Sequence, residues 1–527
     1  VEFVEMLRLP VARLMRTVSR RPSAPLGLLL VLSLGIRVAA LTGKYLPEHD
    51  ETVSYIAAAG HQGDYARTVQ QRIEPYGRWT TAAAWKNFVK PDRFFDFDRI
   101  SRDLIATDLH PPLYFWLLHL GVVAAGATLY TGLVLNLILV VLTFFALRGL
   151  ARQILDAHQT AWALVFWCSS PAVWAISLEA RPYDLLAGIS VLFIWQTIVF
   201  LQHDAIRFRR LALLGLNVIA GALTHYHFLL IMSGGMILAA RRWRGDHRRT
   251  AIQYLLVVIA AGGISFALHP GLFAAMQRQH HEVMTLSCAQ LSRNGDRVLL
   301  ALTSFVSQVH FIQYTAAALA VAAAILQWRK RLGDGRTDGA SRAFADMRFL
   351  TLWLTGSTIL LFLAGFSPAH AMSAKYLSAI WPLLAVLLAR QTGAGRRAWL
   401  PGLVLLSMAI SSAIVLYGSL QSGRDDDPRI LFADGDVVID TTARGELLRL
   451  LWSAPEDLPV LAAMQGDLLA NGCWTSRLSC RTMLISQLTY GNTRAGQDRL
   501  LRKWPAACFP RPIRPVKHFP GQLFRPE

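Results

Sequence analysis

Long apolar runs alternate with short basic connectors over most of this chain. The runs cover residues 26–41, 130–147, 161–177, 185–201, 211–223, 229–240, 252–268, 305–326, 349–365, 377–388 and 400–417. Many reach the roughly 17 to 25 residues that a helix needs to cross a hydrocarbon layer. The pattern therefore predicts an all-α polytopic membrane protein with about eleven transmembrane helices. A soluble core has no use for repeated apolar helices of this length.

Composition agrees with the pattern. Hydrophobic residues make up 54% of the 527 and charged residues 17%, and the mean hydropathy is +0.37, too apolar for an ordinary soluble domain.

The formal charge of +19 raises the question of nucleic acid, and its distribution answers it. Arginines cluster between the apolar runs at Arg148 and Arg152, Arg207 to Arg210, Arg241 to Arg249, Trp328 to Arg331 and Arg390 to Arg397. This is the positive-inside arrangement, and it places those connectors in the cytoplasm. Residues 1–25, with Arg8, Arg13, Arg16, Arg20 and Arg21, read as a cytoplasmic N-terminal segment. No basic stripe is interleaved with stacking aromatics, so nucleic acid is not an expected partner.

One apolar segment does not fit as a crossing. If Leu113 to Ala125 spanned the membrane, Arg148 and Arg152 would fall outside. The segment is also short, so it reads as a re-entrant or interfacial helix opened by Pro111 and Pro112. A twelve-crossing count with the opposite tail is the alternative. The first apolar run reads as a retained anchor, because acidic residues and not a small-residue cleavage site follow it.

Polar residues gather in the connectors of the other, outer side. The first apolar run gives way to EHDETVSY, with Glu48, Asp50 and Glu51 together. DLHPPLYFWLLHL sets Asp108 and His110 ahead of the next apolar stretch. SLEARPYD carries Glu179, Arg181, Tyr183 and Asp184, THYH carries His225 and Tyr226, and FSPAHAMSAKY carries His370, Lys375 and Tyr376. Carboxylates at a membrane surface are costly, which points to chemistry there. The first outer loop, 44–128, mixes Tyr65, Trp79, Trp85, Phe88, Phe94 and Phe95 with basic residues, as interfacial helices lying on the membrane do. Within apolar runs, Asn136, Asn217 and His310 suit hydrogen bonds between helices, and Arg37 suits packing or snorkelling.

After Tyr417 the character changes. GRDDDPR reads as a linker, DVVID and LPVLAA as strands, and ARGELLRLLW between them as an amphipathic helix. The expected organisation is a membrane module over 26–418 and a small extracytoplasmic α/β domain over 419–527. Cys473, Cys480 and Cys508 lie in that domain; an outer compartment permits a disulfide, with the pairing open.

Taken in order, EHDETVSY, DLHPPLYF, SLEARPYDLL, THYHFLL and AKYLSAIWPLLAVLLA resemble the equivalents in bacterial membrane glycosyltransferases of the C-type fold, in the protein O-mannosyltransferase-like branch. The resemblance covers residues 26–390. It implies transfer of a hexosyl or pentosyl group from a polyprenyl phosphate sugar to a lipid, glycan or protein acceptor outside the cytoplasmic (inner) membrane of a bacterium. It also implies inversion and a carboxylate base. The residues agree, since such a donor needs a greasy groove, a cation for its phosphate and a carboxylate near the sugar.

On this reading Asp50 is the base. Glu51 beside it, Asp108 and Glu179 complete the acidic set, and each of the first two carboxylates is expected to raise the pKa of the other. His110, Arg181, Tyr183, His225, Tyr226, Lys375 and Tyr376 are the expected donor-binding residues, Arg181 for its planar fork of donors. The bland alternatives are a helix cap for Asp50 and Glu51 and a structural ion pair between Glu179 and Arg181. No cofactor is specified. The outer histidines His49, His110, His225, His269, His280 and His281 leave room for a divalent metal ion. A flippase or transporter of lipid-linked sugars, or a polymerase or ligase of O-antigen type, are the competing functions. Transporters show internal repeats and broken helices near the midplane, and neither is read here.

Overall fold

In the computed structural model, the described residues are 23–44, 46–108, 110–202, 208–243, 248–271, 288–306, 339–365, 373–392, 399–425, 432, 435–470, 475, 477–479, 481–486, 493–503, 511–512 and 522–525. The apolar run 305–326 falls almost wholly outside them. So do the N-terminal arginines, the basic segment from Trp328 to Arg331, His280, His281, His310, His370, Cys473, Cys480 and Cys508.

The first apolar run forms α1 (Ser23–Leu41). The first outer loop then folds into α2 (His49–Ala59), α3 (Gln62–Gln71), β1 (Trp79–Thr81), α4 (Ala82–Lys86), α5 (Phe97–Thr107) and α6 (Leu113–Ala125). The membrane module continues with α7 (Leu129–Ile154), α8 (Ala157–Cys168), α9 (Pro171–Ser177), α10 (Tyr183–Leu201), α11 (Phe208–Ala222), α12 (Phe228–Arg242) and α13 (Arg248–Leu268). It ends with α14 (Cys288–Thr303), α15 (Gly339–Gly365), α16 (Trp381–Thr392) and α17 (Trp399–Asp425). Among the described residues four helices, in α7, α10, α13 and α15, are long and apolar enough to cross a membrane on their own, and α1, α6, α16 and α17 carry shorter apolar stretches. The chain is a multi-pass membrane protein.

The run 161–177 reads as one crossing, and the structure bends it by 55° between α8 and α9. The cause is local. Ser170 caps the second piece by accepting from Val173 N at 3.4 Å, and Pro171 stands in its first turn, where a missing N–H costs nothing. Helix α6 is too short to span. It packs on α2 through buried Tyr114, Phe115 and Leu118, and its His119 is bound to the carbonyl of Ala58 at 2.7 Å.

Past α17 the chain builds β2 (Val437–Ile439), α18 (Arg444–Leu451), β3 (Pro459–Ala462), α19 (Gln465–Ala470), β4 (Met483–Ser486), α20 (Arg494–Leu501), β5 (Arg511–Pro512) and β6 (Gln522–Arg525). The strand order is β1-β3-β2-β4-β6-β5. β2 runs parallel to both β3 and β4, Val438 pairing with Leu461 and Leu484. These central strands are apolar and almost wholly buried, as parallel strands covered on both faces are.

The edge strand β1 comes from the first outer loop, with Trp79 opposite Leu461. The loop and the C-terminal unit thus share one sheet and one core, in which Tyr65, Trp85, Val438 and Leu461 pack together. Two aromatics expected on the membrane surface, Tyr65 and Trp85, are instead core residues, 2% and 0% exposed. Phe94 and Phe95 remain outside at 67% and 69%. Local aromatic content cannot distinguish these fates, because the partner strands lie hundreds of residues away.

Candidate active site

The acidic turn after α1 opens α2. Glu48 is its N-cap, and a capping box joins Glu48 to Glu51, the arrangement expected of acidic residues at a helix start. This geometry aims Asp50 and Glu51 in different directions.

Glu51 points into the protein, its side chain 2% exposed. Lys44 binds it at 2.5 Å and also reaches the carbonyl of Leu178 at 2.7 Å. Glu51 further accepts from Glu48 N at 3.1 Å and Ala180 N at 3.2 Å. A carboxylate so enclosed ties α1, α2 and the SLEARPYD connector together. The expectation that Glu51 shares catalysis with Asp50 does not fit this geometry, because both its oxygens are engaged and solvent does not reach them.

Asp50 faces outward, with its side chain 37% exposed. Lys375 meets its Oδ2 at 2.5 Å, Arg181 stands 3.9 Å from the same oxygen, and His49 Nδ1 lies 3.2 Å from Oδ1. The hydrogen bond from His49, with Arg181 and Lys375 behind it, holds the Asp50 carboxyl far below the usual carboxylate range, against the opposing effect of burial. The expectation that neighbouring Glu51 raises this pKa is overturned: three donors outweigh one anion already neutralised by Lys44.

Arg181 is anchored from behind. Its Nη1 donates to the Asp50 carbonyl at 3.2 Å and to Ser54 Oγ at 3.3 Å, and its Nη2 lies 3.2 Å from His110 Nε2. His110 Nδ1 in turn lies 2.6 Å from Asp108 Oδ1, and Gln62 Nε2 donates to Asp108 Oδ2 at 2.8 Å. An N–H on Nδ1 directed at the carboxylate leaves the Nε2 lone pair for Arg181, so Asp108 sets the histidine tautomer. Asp108 thus contacts His110 and, through it, backs Arg181. Although burial works to lower it, the Arg181 pKa is raised by Tyr183, Asp50 and Asp108, so its charge is permanent.

Glu179 sits in the same connector, its backbone carbonyl accepting from Asn136 Nδ2 at 2.6 Å. Asn136 also binds Ser177 O at 3.2 Å, so the helix-bridging role read for Asn136 serves to hold this connector. Burial raises the Glu179 pKa, opposed by the fields of Lys375 and Lys44. No ion pair joins Glu179 to Arg181 among the described residues. The two carboxyls Asp50 and Glu179 are thus displaced in opposite directions, a separation characteristic of sites with divided acid and base roles.

An aromatic wall backs the cations. Tyr183 packs at 5.7 Å from His225 and 5.9 Å from Tyr376, and both Arg181 and Lys375 lie 5.9 Å from its ring centre. His225 also meets His110 at 5.5 Å and His227 at 4.7 Å. Burial, with His227, His110 and Arg181 nearby, lowers the His225 pKa well below the usual value, and burial takes His227 to about 4. Tyr226 instead directs its hydroxyl toward Gly271, where His269 also lies. Among the described residues no three His, Cys, Asp or Glu side chains converge as a metal-ligand set.

Chain-wide comparison supplies the fold class at this point. No protein-family model matches the sequence, and no curated protein does. Among solved structures, ArnT from Cupriavidus metallidurans bound to undecaprenyl phosphate aligns over 94% of this chain and 97% of its own, at 11% identity and a TM-score of 0.53. The fold is that of the C-type membrane glycosyltransferases. The oligosaccharyltransferase of Archaeoglobus fulgidus, in a complex with zinc and sulfate, aligns over 82% of this chain and 62% of its own at 12% identity and a TM-score of 0.45. The same archaeal enzyme, AglB, with an inhibitory peptide and a dolichol-phosphate, aligns over 84% and 65% at 11% identity and 0.42.

Residue-by-residue reading of the motifs brought Asp50, His110, Arg181, Tyr183, His225, Lys375 and Tyr376 into one neighbourhood. It missed Lys44, Ser54 and Gln62, and read His49 only as one of the outer histidines, not as the partner of Asp50. His49 and Ser54 stand in EHDETVSY itself and Lys44 just before it, so proximity to the acidic turn was the available signal. Gln62 carried none. Arg37 is 0% exposed, donating to Ser177 Oγ at 2.7 Å and Ser33 O at 3.0 Å; it packs α1 to α9 and does not snorkel.

Proposed function

We propose that this protein is an integral membrane glycosyltransferase that takes a sugar from a polyprenyl phosphate sugar and passes it, with inversion, to an acceptor on the extracytoplasmic side. The single observation that carries the reading is the junction of Asp50, Lys375 and Arg181: a partly open carboxylate faced by two cations, beside an aromatic wall. The likeness in fold to ArnT, crystallised with undecaprenyl phosphate, supports the donor class. The basic connectors at the opposite helix ends support the orientation.

In the proposed reaction an acceptor oxygen attacks the anomeric carbon and its proton passes to Asp50. The bond between that carbon and the phosphate oxygen breaks, and its electron pair stays with the departing lipid phosphate. Lys375 and Arg181 stabilise that charge, while Asp108 and His110 hold the Arg181 fork in place. A base with so low a pKa is weak in the donor-free state. The arriving phosphate gives both cations a stronger anionic partner, and as Lys375 turns to it the proton affinity of Asp50 rises. The donor thereby switches on its own base. Glu179, uncommitted to Arg181, is placed to meet a sugar hydroxyl.

The test is transfer of labelled sugar from a panel of synthetic polyprenyl phosphate sugars by purified protein, with Asp50→Asn as comparison. Transfer or slow donor hydrolysis by the wild type, lost in a folded Asp50→Asn variant, is the expected result. Inert donors together with labelled lipid crossing vesicle membranes would replace this reading by a flippase.

A further inference from the structure

A second cavity lies where the first outer loop joins the C-terminal sheet. Its volume is about 530 Å³, and its lining includes Arg72, Tyr76, Arg78, Trp79, Asp467 and Leu468. That volume lies in the range of small-ligand sites. None of these residues belongs to the Asp50 group.

The cavity is built, not incidental. Arg72 forms a two-pronged pair with Asp467 at 2.9 and 2.7 Å, and the Tyr76 hydroxyl donates to the same carboxylate. Gly77, in the left-handed region at φ +68°, donates its N–H to Ala462 O at 2.9 Å. That turn brings Arg78 and Trp79 to the carboxyl end of β3. Arg477 lies 5.7 Å from the Trp79 ring centre, and Trp79 Nε1, shielded from solvent, has no acceptor among the described residues.

The charges favour an anion. Asp467 is fully engaged by Arg72 and Tyr76. Among the described residues Arg78 pairs with Glu74, at 3.3 Å, both members exposed (72% and 59%), a pair which a ligand can displace at little cost. Arg477 is not part of the lining and adds positive charge only beside Trp79. Guanidinium forks suit a carboxylate or phosphate, and an indole suits the faces and hydroxyls of a sugar.

Position ties the cavity to the transferase site. In parallel sheets ligands gather beyond the carboxyl ends of the strands. The cavity lies at that end of β3. At the same end of its parallel neighbour β2 the chain turns into α18, whose Gly445 abuts the His49 ring so closely that a Cβ there would meet it at 2.3 Å. His49 is the residue bound to Asp50.

We infer that this cavity binds an anionic saccharide, a sugar bearing carboxylate or phosphate, and that it is the docking subsite for the acceptor; the acceptor role rests on the transferase reading above. The experiment is titration calorimetry of the full-length protein in detergent, without donor, using tetragalacturonate and maltotetraose as probes. Tetragalacturonate is expected to bind about tenfold or more tightly than the neutral oligomer. Arg78→Glu and Trp79→Val are each expected to weaken it by about tenfold. Arg78 is exposed, so its variant tests the cavity without disturbing the sheet. Equal binding of the two oligomers, no binding of either, or binding indifferent to Arg78→Glu overturns the proposal. Since no donor is present, a protein that transfers no sugar still reports on the cavity. Wild-type transfer accompanied by no tetragalacturonate binding overturns the cavity alone.

Discussion

Asp50 and Glu51 are chain neighbours, and each holds a lysine at 2.5 Å. Chemically the two pairs are nearly the same. Their surroundings differ: the Glu51–Lys44 pair is sealed, 2% and 16% exposed, with Glu51 also accepting from the backbone of Glu48 and Ala180, whereas Asp50 and Lys375 are 37% and 23% exposed. A sealed and satisfied pair fixes structure, because breaking it strands a buried charge. A pair left open to solvent can exchange partners, and that is what binding a phosphate and receiving a proton require.

The comparison is tested most severely by replacing each acid with its amide. Asp50→Asn is expected to lower transfer by about 10²- to 10⁴-fold, the usual contribution of a general base, with a loss of thermal midpoint at neutral pH that is smaller than that of Glu51→Gln. Glu51→Gln is expected to do the reverse, costing about 3 to 5 kcal/mol of stability with a smaller effect on the rate of the protein that remains folded. Calorimetry and turnover on the same preparations decide it; two variants with the same profile would erase the distinction between the pairs.

Lysine exchange sharpens the comparison next. Lys375→Met removes the cation assigned to the leaving phosphate, and a loss of about 10²- to 10³-fold in kcat is expected. Lys44→Met is expected to lower the melting temperature instead. Single-turnover rates with excess enzyme separate the chemical step from donor binding.

A smaller effect concerns His49, which contributes most to holding Asp50 acidic. His49→Leu is expected to move the acid limb of kcat/KM to higher pH, since removing a donor to the ionised form raises the pKa of the free enzyme. An unmoved limb would show that His49 does not act through Asp50.

The smallest effect separates Asp50 from Glu179. A folded-state pKa raised by burial means the folded protein holds its proton more tightly than the unfolded chain. The stability associated with Glu179 is therefore complete below the unfolded value of about 4.3 and falls as pH rises through the folded value. Glu179→Gln should raise the melting temperature at pH 8 and change it little at pH 4. Asp50, held low, has the opposite sign: its contribution is present above its unfolded value and is lost as pH falls. Melting curves of the Glu179 variant across pH 4 to 8 and of the Asp50 variant from pH 6 down to pH 2 test both signs.

The apolar periodicity, the basic connectors and the order of the outer motifs established a polytopic helical membrane protein whose polar chemistry lies on one side. These follow from solvation alone: a helix of lipid-crossing length and a cluster of arginines carry their meaning without reference to distant residues. The patterns of DVVID, ARGELLRLLW and LPVLAA likewise announced β2, α18 and β3, since period and turn chemistry are local. That Asp50 and Arg181 would stand together was legible because each sits in a short motif of the same outer side. Tertiary structure alone decided that Glu51 is sealed while Asp50 is open, that Asp108 contacts His110, that Tyr65 and Trp85 are core, and that β1 completes a sheet begun more than three hundred residues later. Each of these depends on which distant group removes water from a side chain or gives it a partner, and such pairings across the chain leave no periodic trace in sequence.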